Sequence, residues 1–340
     1  MDLSIMNYIY TIFIGALLAV LASSNLQAAE INLLNASYDT TRHLYKDYNP
    51  LFVKYWKDKM GDTVRINQSH ASSGKQARAV LDGLEADVIG LSIAYDVDQL
   101  YQKRRLIPEN WQSLLPNNSC PYTSTMVFLV RKGNPLAIKD WDDLVKSDIS
   151  IVTPNPKISG AARYNFLAAW GYALKHNNND ETVAKDFVNK LFKNTAILDT
   201  SARGSTTSFV EREIGDVMIT WESEAYLVLR DFGADNFEIV TPSLSILAEP
   251  PVAVVEDMAR KHGTTEVATG YLKYLYSKEG QDIIGKNFYR PVDPEIAAKY
   301  AHQFKPLELI KIAQFGGWEE AQKKFFADEG IFDEIYGPGK

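Results

Sequence analysis

Three short segments of this 340-residue chain carry residue types suited to holding an anion without a charged side chain. In each, a run with strand character passes through a turn bearing Ser and Gly into a run with helical spacing. Thr63-Val64-Arg65-Ile66-Asn67 leads through Ser69-His70-Ala71-Ser72-Ser73-Gly74 to Ala77, Val80, Leu81 and Leu84. Ile149-Ser150-Ile151-Val152 leads through Lys157-Ile158-Ser159-Gly160 to Phe166, Ala169, Trp170 and Ala173. Ala196-Ile197-Leu198 leads through Thr200-Ser201-Ala202-Arg203-Gly204-Ser205 to Phe209 and Val210. The first turn of a helix has backbone N–H groups without intrahelical acceptors and a partial positive charge. Small residues let an anion approach that backbone, and a Ser hydroxyl adds a donor. Ser is also an ordinary N-cap, so a single junction says little. Three of them in one chain, spread over both expected lobes, suggest an anion site, with three ordinary caps as the alternative reading. Trp221 closes the strand-like run 216–220, at the carboxyl edge where open α/β sheets bind ligands. Its indole N–H only donates.

Other chemistries are poorly supported. Ser72-Ser73-Gly74-Lys75 satisfies S-x-x-K, but no K-T-G or S-D-N accompanies it. A secreted Ser hydrolase using Ser72 and Lys75 is therefore the weaker, alternative reading. Residues 69–76 match a P-loop loosely, with Ser69 in place of the first Gly and Gln76 where a magnesium-binding hydroxyl belongs. The five histidines, His43, His70, His176, His262 and His302, show no ligand spacing, so neither a metal nor any other cofactor is expected. The single cysteine, Cys120, rules out an internal disulfide. Lys plus Arg number 36 against 43 Asp plus Glu, a formal charge of −7, which argues against nucleic acid as a partner. That sign also runs against an anionic ligand. Neutral donors at helix starts remove the conflict, because they act locally and salt screens the global field over about 8–10 Å.

The elements that must position these residues alternate between strand and helix, which predicts an α/β fold with mostly parallel sheets. The segments 85–91 and 214–220 echo each other, each a helix end turning into a buried strand. Two similar lobes account for the echo, with a ligand cleft between them. The apolar strand 125–130 is expected to carry the chain from the first lobe to the second, and 237–251 to carry it back. The expected division is a signal peptide at 1–28, the first lobe at 29–121, the second at 122–245, and a return to the first lobe at 246–340 with the C-terminal helices. The run 5–22 is the only long apolar stretch, followed by small residues, and reads as a secretory signal cleaved near Ala28 or Ala29. It lacks a basic n-region and is nearly long enough to span a bilayer, so an uncleaved anchor is the alternative.

At this point the residues resemble a known family. The segments are Leu33-Leu34-Asn35-Ala36-Ser37-Tyr38-Asp39, Gln68-Ser69-His70 with Ser73-Gly74-Lys75-Gln76, Pro121-Tyr122-Thr123-Ser124-Thr125 and Thr153-Pro154-Asn155-Pro156-Lys157. Ala202-Arg203-Gly204-Ser205-Thr206, Asn287-Phe288-Tyr289-Arg290-Pro291 and Phe315-Gly316-Gly317-Trp318 follow in order. Together they closely resemble the periplasmic sulfate-binding proteins of bacterial ABC importers, over the whole chain from about residue 31. The resemblance implies a two-lobed type II periplasmic binding protein, not an enzyme, that closes around sulfate as a monomer and delivers it to membrane permease subunits. Thiosulfate is the alternative ligand. It also implies the contacts: backbone N–H groups of Ser73, Gly160, Ala161 and Ala202, the hydroxyl of Ser159 and the indole of Trp221, with Asp39 and Arg203 in support. The chain departs from the family at Ala161, Ala71 and Ser72, where glycines are common, and at Ile158, where a smaller polar residue is common.

Overall fold

The computed structural model describes residues 30–337; the signal peptide expected at 1–28 and its cleavage point near Ala28 or Ala29 lie outside them. The chain opens with β1 (Glu30–Tyr38), α1 (Arg42–Met60), β2 (Thr63–Ala71), α2 (Ser73–Leu81), β3 (Val88–Gly90) and α3 (Ala94–Arg104). β2, β1 and β3 lie side by side in parallel, and β11 (Val252–Val254) adds an antiparallel edge to β3. Gly61 shows why α1 stops where it does. At φ +84° it adopts the left-handed conformation that closes a helix, and its N–H returns to Lys57 O at 2.9 Å. Helices on both faces cover the sheet. One face packs on Leu44, Tyr48 and Phe52, the other on Ala77, Val80, Val97 and Leu100.

The second sheet has the order β7-β6-β8-β5-β9. It is built from β5 (Met126–Arg131), β6 (Ile151–Pro154), β7 (Thr195–Asp199), β8 (Val217–Trp221) and β9 (Phe237–Val240). Only β5 runs against its neighbours, β8 and β9. Between the strands come α4 (Gly160–His176), α5 (Glu181–Lys193), α6 (Ala202–Thr206) and α7 (Glu222–Phe232). The result is a two-lobed α/β architecture, each lobe with its own mostly parallel sheet. The echoing segments supply β3 and β8, which occupy corresponding inner positions.

Two placements differ from the sequence expectation. The strand 125–130 does not bridge the lobes: as β5 it is buried inside the second sheet, where both of its edges are paired. The crossing lies just before it. Ser124 and Ala248 exchange both backbone hydrogen bonds at 2.9 Å, and Thr125 Oγ1 donates to Ile246 O at 2.9 Å, so the outgoing and returning chains run as one paired hinge. The run of apolar residues gave no sign of this, because a central strand and a bridge both read as hydrophobic.

The second difference concerns 246–340, expected to return to the first lobe as one piece. Residues 252–286 do pack on the first sheet, through Ala259, Val267, Tyr271, Leu272 and Ile284. From β13 (Glu308–Ile310) the chain lies on the second lobe instead, with β13 paired in parallel to β10 (Leu244–Ile246). Phe325, Phe326, Phe332 and Ile335 enter the same core as Phe166, Trp170 and Phe192. The physical reason is the aromatic face of α4, which needs a cover that the second lobe's own helices do not complete. Truncating Phe326 to Ala is expected to cost about 3–5 kcal/mol, the usual range for an aromatic removed from a packed core. Urea denaturation measures the loss. Hydrogen exchange should show faster opening in β6 and α4 while β1 and β3 keep their protection.

Candidate functional site

Each residue singled out from sequence stands at the carboxyl end of a strand. Ser73 begins α2 after β2, Ser159 to Ala161 open α4 after β6, Ala202 begins α6 after β7, and Trp221 is the last residue of β8. Asp39 follows β1 directly. These ends meet at the seam between the lobes. Gly74 approaches the second lobe so closely that a Cβ there would lie 3.1 Å from Ile158 O. A Cβ on Gly160 would lie 2.7 Å from Ser92 Cβ in the first lobe. The Trp221 ring meets Tyr38 of the first lobe across the same line, tilted at 5.6 Å between centroids, and packs edge-on against Tyr164 of its own lobe at 5.5 Å. The lobes are therefore closed on each other at these residues.

The donors at the seam lack acceptors. The N–H groups of Ser73, Gly160, Ala161 and Ala202 precede the first bonds of their helices, and none finds an acceptor elsewhere among the described residues. The Ser caps differ in a telling way. Ser201 uses its hydroxyl as a cap, accepting from Gly204 N at 3.1 Å. Ser72 and Ser159 make no such bond, and the Ser159 hydroxyl has no hydrogen-bond partner among the described residues. Trp221 is fully buried, and its Nε1 has no partner among the described residues. Leaving a buried donor unpaired costs about 1–3 kcal/mol, so an indole held this way calls for an acceptor. Ala161 is buried, and its side chain does not alter the N–H it presents.

Charge is close at hand but occupied. Asp39 Oδ2 accepts the backbone N–H of Arg203 at 2.7 Å across the seam. Burial raises the Asp39 carboxyl above its usual range, and that N–H works against the rise. The Arg203 guanidinium turns away to Glu224 Oε1 at 3.0 Å, and Thr206 Oγ1 donates to the same oxygen at 2.7 Å. Arg203 thus contributes its backbone and keeps its charge off the seam.

Sequence reasoning missed a second network behind the donors. Arg163 Nη1 pairs with Asp96 Oδ1 at 3.0 Å across the lobes, with only 5% and 4% of the two side chains exposed. Arg163 also donates from Nε to Pro156 O at 2.9 Å, which ties it to the turn that presents Ser159. The other oxygen of Asp96 accepts from Ser73 Oγ at 2.6 Å, and Ser73 Oγ accepts from Ser92 N at 3.0 Å. The signal was available in sequence: Arg163 is the one cation early in an otherwise apolar helix. A second inter-lobe pair, Arg290 with Glu222 at 2.7 and 2.8 Å, lies on the hinge side.

The alternative hydrolytic arrangement is not assembled. Among the described residues Ser72 Oγ has no partner, Lys75 is exposed, and the two share no hydrogen bond. Cys120 is buried, and burial pushes its thiol up to about 12, so it is inert. Among the described residues no group of three or more His, Cys, Asp or Glu is placed to hold a metal ion.

The chain is similar to known proteins. The model for the bacterial extracellular solute-binding protein family matches residues 33–290. A sulfate-binding protein of Escherichia coli (strain K12) is 58% identical over 317 residues, covering 93% of this chain and 96% of its own. A thiosulfate-binding protein of Pseudomonas aeruginosa is 50% identical over 329 residues, covering 96% of this chain and 99% of its own. Among solved structures, the sulfate-binding protein SubI from Mycobacterium tuberculosis H37Rv superposes with a TM-score of 0.79 at 30% identity, covering 87% of this chain and 99% of that one. A solute-binding role, rather than catalysis, is what these relatives share with a seam of unpaired donors between two closed lobes. The chain belongs to the bacterial extracellular solute-binding protein family.

Proposed function

We propose that this protein captures sulfate in the periplasm and, as a closed monomer, presents it to the membrane subunits of an ABC importer. The observation that carries the reading is the fully buried Trp221 indole N–H without an acceptor, set beside four acceptor-less helix-start amides and the free Ser159 hydroxyl. The ligand contacts are the N–H groups of Ser73, Gly160, Ala161 and Ala202, Ser159 Oγ and Trp221 Nε1. Asp39 supports them by holding Arg203 N, which fixes the start of α6 against the first lobe. The similarity to sulfate-binding relatives supports the same reading. The same reading has the chain exported by the signal peptide expected at 1–28, cleaved near Ala28 or Ala29, and working in the periplasm, as the similarity to sulfate-binding relatives supports.

Sulfate is a full dianion at neutral pH and only accepts hydrogen bonds, so a set of donors satisfies it completely. Phosphate carries a proton there, and burying that O–H among donors leaves it unpaired, at a cost of about 1–3 kcal/mol or more. Selectivity follows from the missing acceptor. Ser73 donates from the first lobe and the remaining contacts from the second, so only the closed state offers the ligand its full set. Closing also buries the Arg163–Asp96 pair, and opening separates its two charges again. Thiosulfate is the second reading, favoured by the thiosulfate-binding relative; its terminal sulfur accepts from the same donors.

Calorimetric titration of dialysed protein tests the function. Sulfate should bind with micromolar or tighter affinity and phosphate at least tenfold more weakly, since 1.4 kcal/mol is roughly a factor of ten. Equal affinities for the two anions would refute a site made of donors, and titrations with thiosulfate and molybdate rank the remaining candidates. Replacing Trp221 by Phe removes one donor and little volume. Sulfate affinity should drop by roughly tenfold or more, as for the loss of one hydrogen bond to a charged group. An unchanged affinity removes Trp221 from the contact set.

Gly160→Ala separates closure from contact, because the amide remains while the added methyl meets Ser92 only when the lobes are shut. The expected result is an unaltered melting temperature without ligand and at least tenfold weaker sulfate binding, consistent with about 1–3 kcal/mol of overpacking. Small-angle scattering should then show less ligand-induced compaction than in the unmodified protein.

A further inference from the structure

A groove of about 470 Å³ runs along the outer edge of the seam, between α2 and α3 on one side and the 155–159 turn on the other. Its lining holds six cationic side chains, Lys75, Arg78, Lys103, Arg104, Lys157 and Arg163, against two carboxylates, Asp82 and Asp96. That concentration is notable on a chain whose formal charge is −7. Several of the six have partners. Arg163 pairs with Asp96 on the groove floor, Lys157 is tied to Asp328 and Asp333, Arg78 lies 3.6 Å from Asp82, and Arg104 donates to Leu81 O. Lys75 and Lys103 are exposed and make no ion pair or hydrogen bond among the described residues.

Lys75 stands out for a second reason. It occupies the first turn of α2, which contains no acidic residue, so an unpaired cation sits against the positive end of its own helix. Helix stability disfavours that placement. It lies two residues after Ser73, whose amide is one of the proposed contacts. The two walls of the groove belong to different lobes and touch at Gly74 and Ile158. Separating the lobes therefore opens the groove into the mouth of the binding cleft.

We propose that this cationic rim, with Lys75 and Lys103 as its free charges, is an entry port that steers the sulfate dianion to the open cleft and then stays outside the closed site. The inference rests on the proposed ligand being a small dianion. Like charges at a cleft mouth raise the local concentration of an oppositely charged ligand and its association rate, and salt erases the effect. No rim cation contacts the bound ion, so the contacts at the donors and the dissociation rate are untouched, and affinity at low salt changes only by the factor in the association rate. A donor-only site and a cationic approach are thus separate devices, one for selectivity and one for rate.

Stopped-flow tryptophan fluorescence with sulfate, in chloride buffers of low and high ionic strength, tests the port. The variant Lys75→Glu/Lys103→Glu should associate roughly tenfold more slowly than the unmodified protein at low salt, near the lower end of steering effects. Its dissociation rate should be unchanged, and the difference should disappear at high salt. Glu suits position 75 in the first turn of α2, whereas position 103 is exposed in the last turn of α3, where Glu carries a small helix-dipole penalty; an unchanged melting curve shows that the variant keeps its fold, and Lys75→Arg/Lys103→Arg should retain the fast association. An association rate that does not change at low salt overturns the port. So does a change confined to dissociation, which would place the two lysines in closure instead. Absence of sulfate binding by the unmodified protein overturns the proposed function itself, and is distinguished by that control.

Discussion

Unpaired backbone donors are the constraint on which the rest of this structure depends. A helix must start with amides that its own turns cannot satisfy, and most proteins face such starts toward water or cap them with side chains. Here the starts of α2, α4 and α6 are turned toward one seam, and at Ser159 the cap withholds its hydroxyl. The topology makes this possible. Parallel strands send every following helix off the same sheet edge, so two facing sheets bring several helix starts together without any residue having to bend out of its preferred conformation.

Closure then depends on how near the two edges can come. Gly74 and Gly160 are both ordinary helical residues with no need for a left-handed backbone; what they supply is the absent Cβ that lets Ile158 O and Ser92 pack against them. The buried pairs work differently. Arg163–Asp96 contributes little net stability once its desolvation is counted, but it is intolerant of misalignment, since a separated buried charge is costly. It therefore selects one closed geometry more than it strengthens closure. The same pair uses up the guanidinium donors of Arg163 on Asp96 and on the 155–159 turn, keeping a cation close to the donors without offering it to a ligand.

Much of this was legible in the sequence, and the failures are instructive. The three strand-to-turn-to-helix junctions, the position of Trp221 and the two-lobed α/β division follow from spacing and residue type. Residues 125–130 were misplaced because burial within a sheet and passage between lobes demand the same apolar side chains. Residues 308–336 were misplaced because aromatic residues such as Phe325, Phe326 and Phe332 announce a core without saying which core. Arg163 is visible as a cation early in an apolar helix, but its partnership with Asp96, 67 residues away in the other lobe, has no local signature. Long-range partnership is where a single sequence is least informative.

Net charge gave a signal that changes meaning with scale. Across the whole chain the excess of acid argues against polyanions, whose many phosphates sample a broad surface. A single small anion samples much less. Within hydrogen-bond distance of the seam the relevant groups are neutral amides, a hydroxyl and an indole, and the nearest ionised groups are paired within the protein. At the lip of the same seam the balance reverses, with Lys75 and Lys103 unpaired above the neutralised Arg163–Asp96 floor. Because exposed charges are screened beyond about 8–10 Å, those two lysines dominate what an approaching ion feels more than the distant carboxylates do. An acidic protein and an anionic ligand are compatible once attraction, contact and global charge are assigned to different distances.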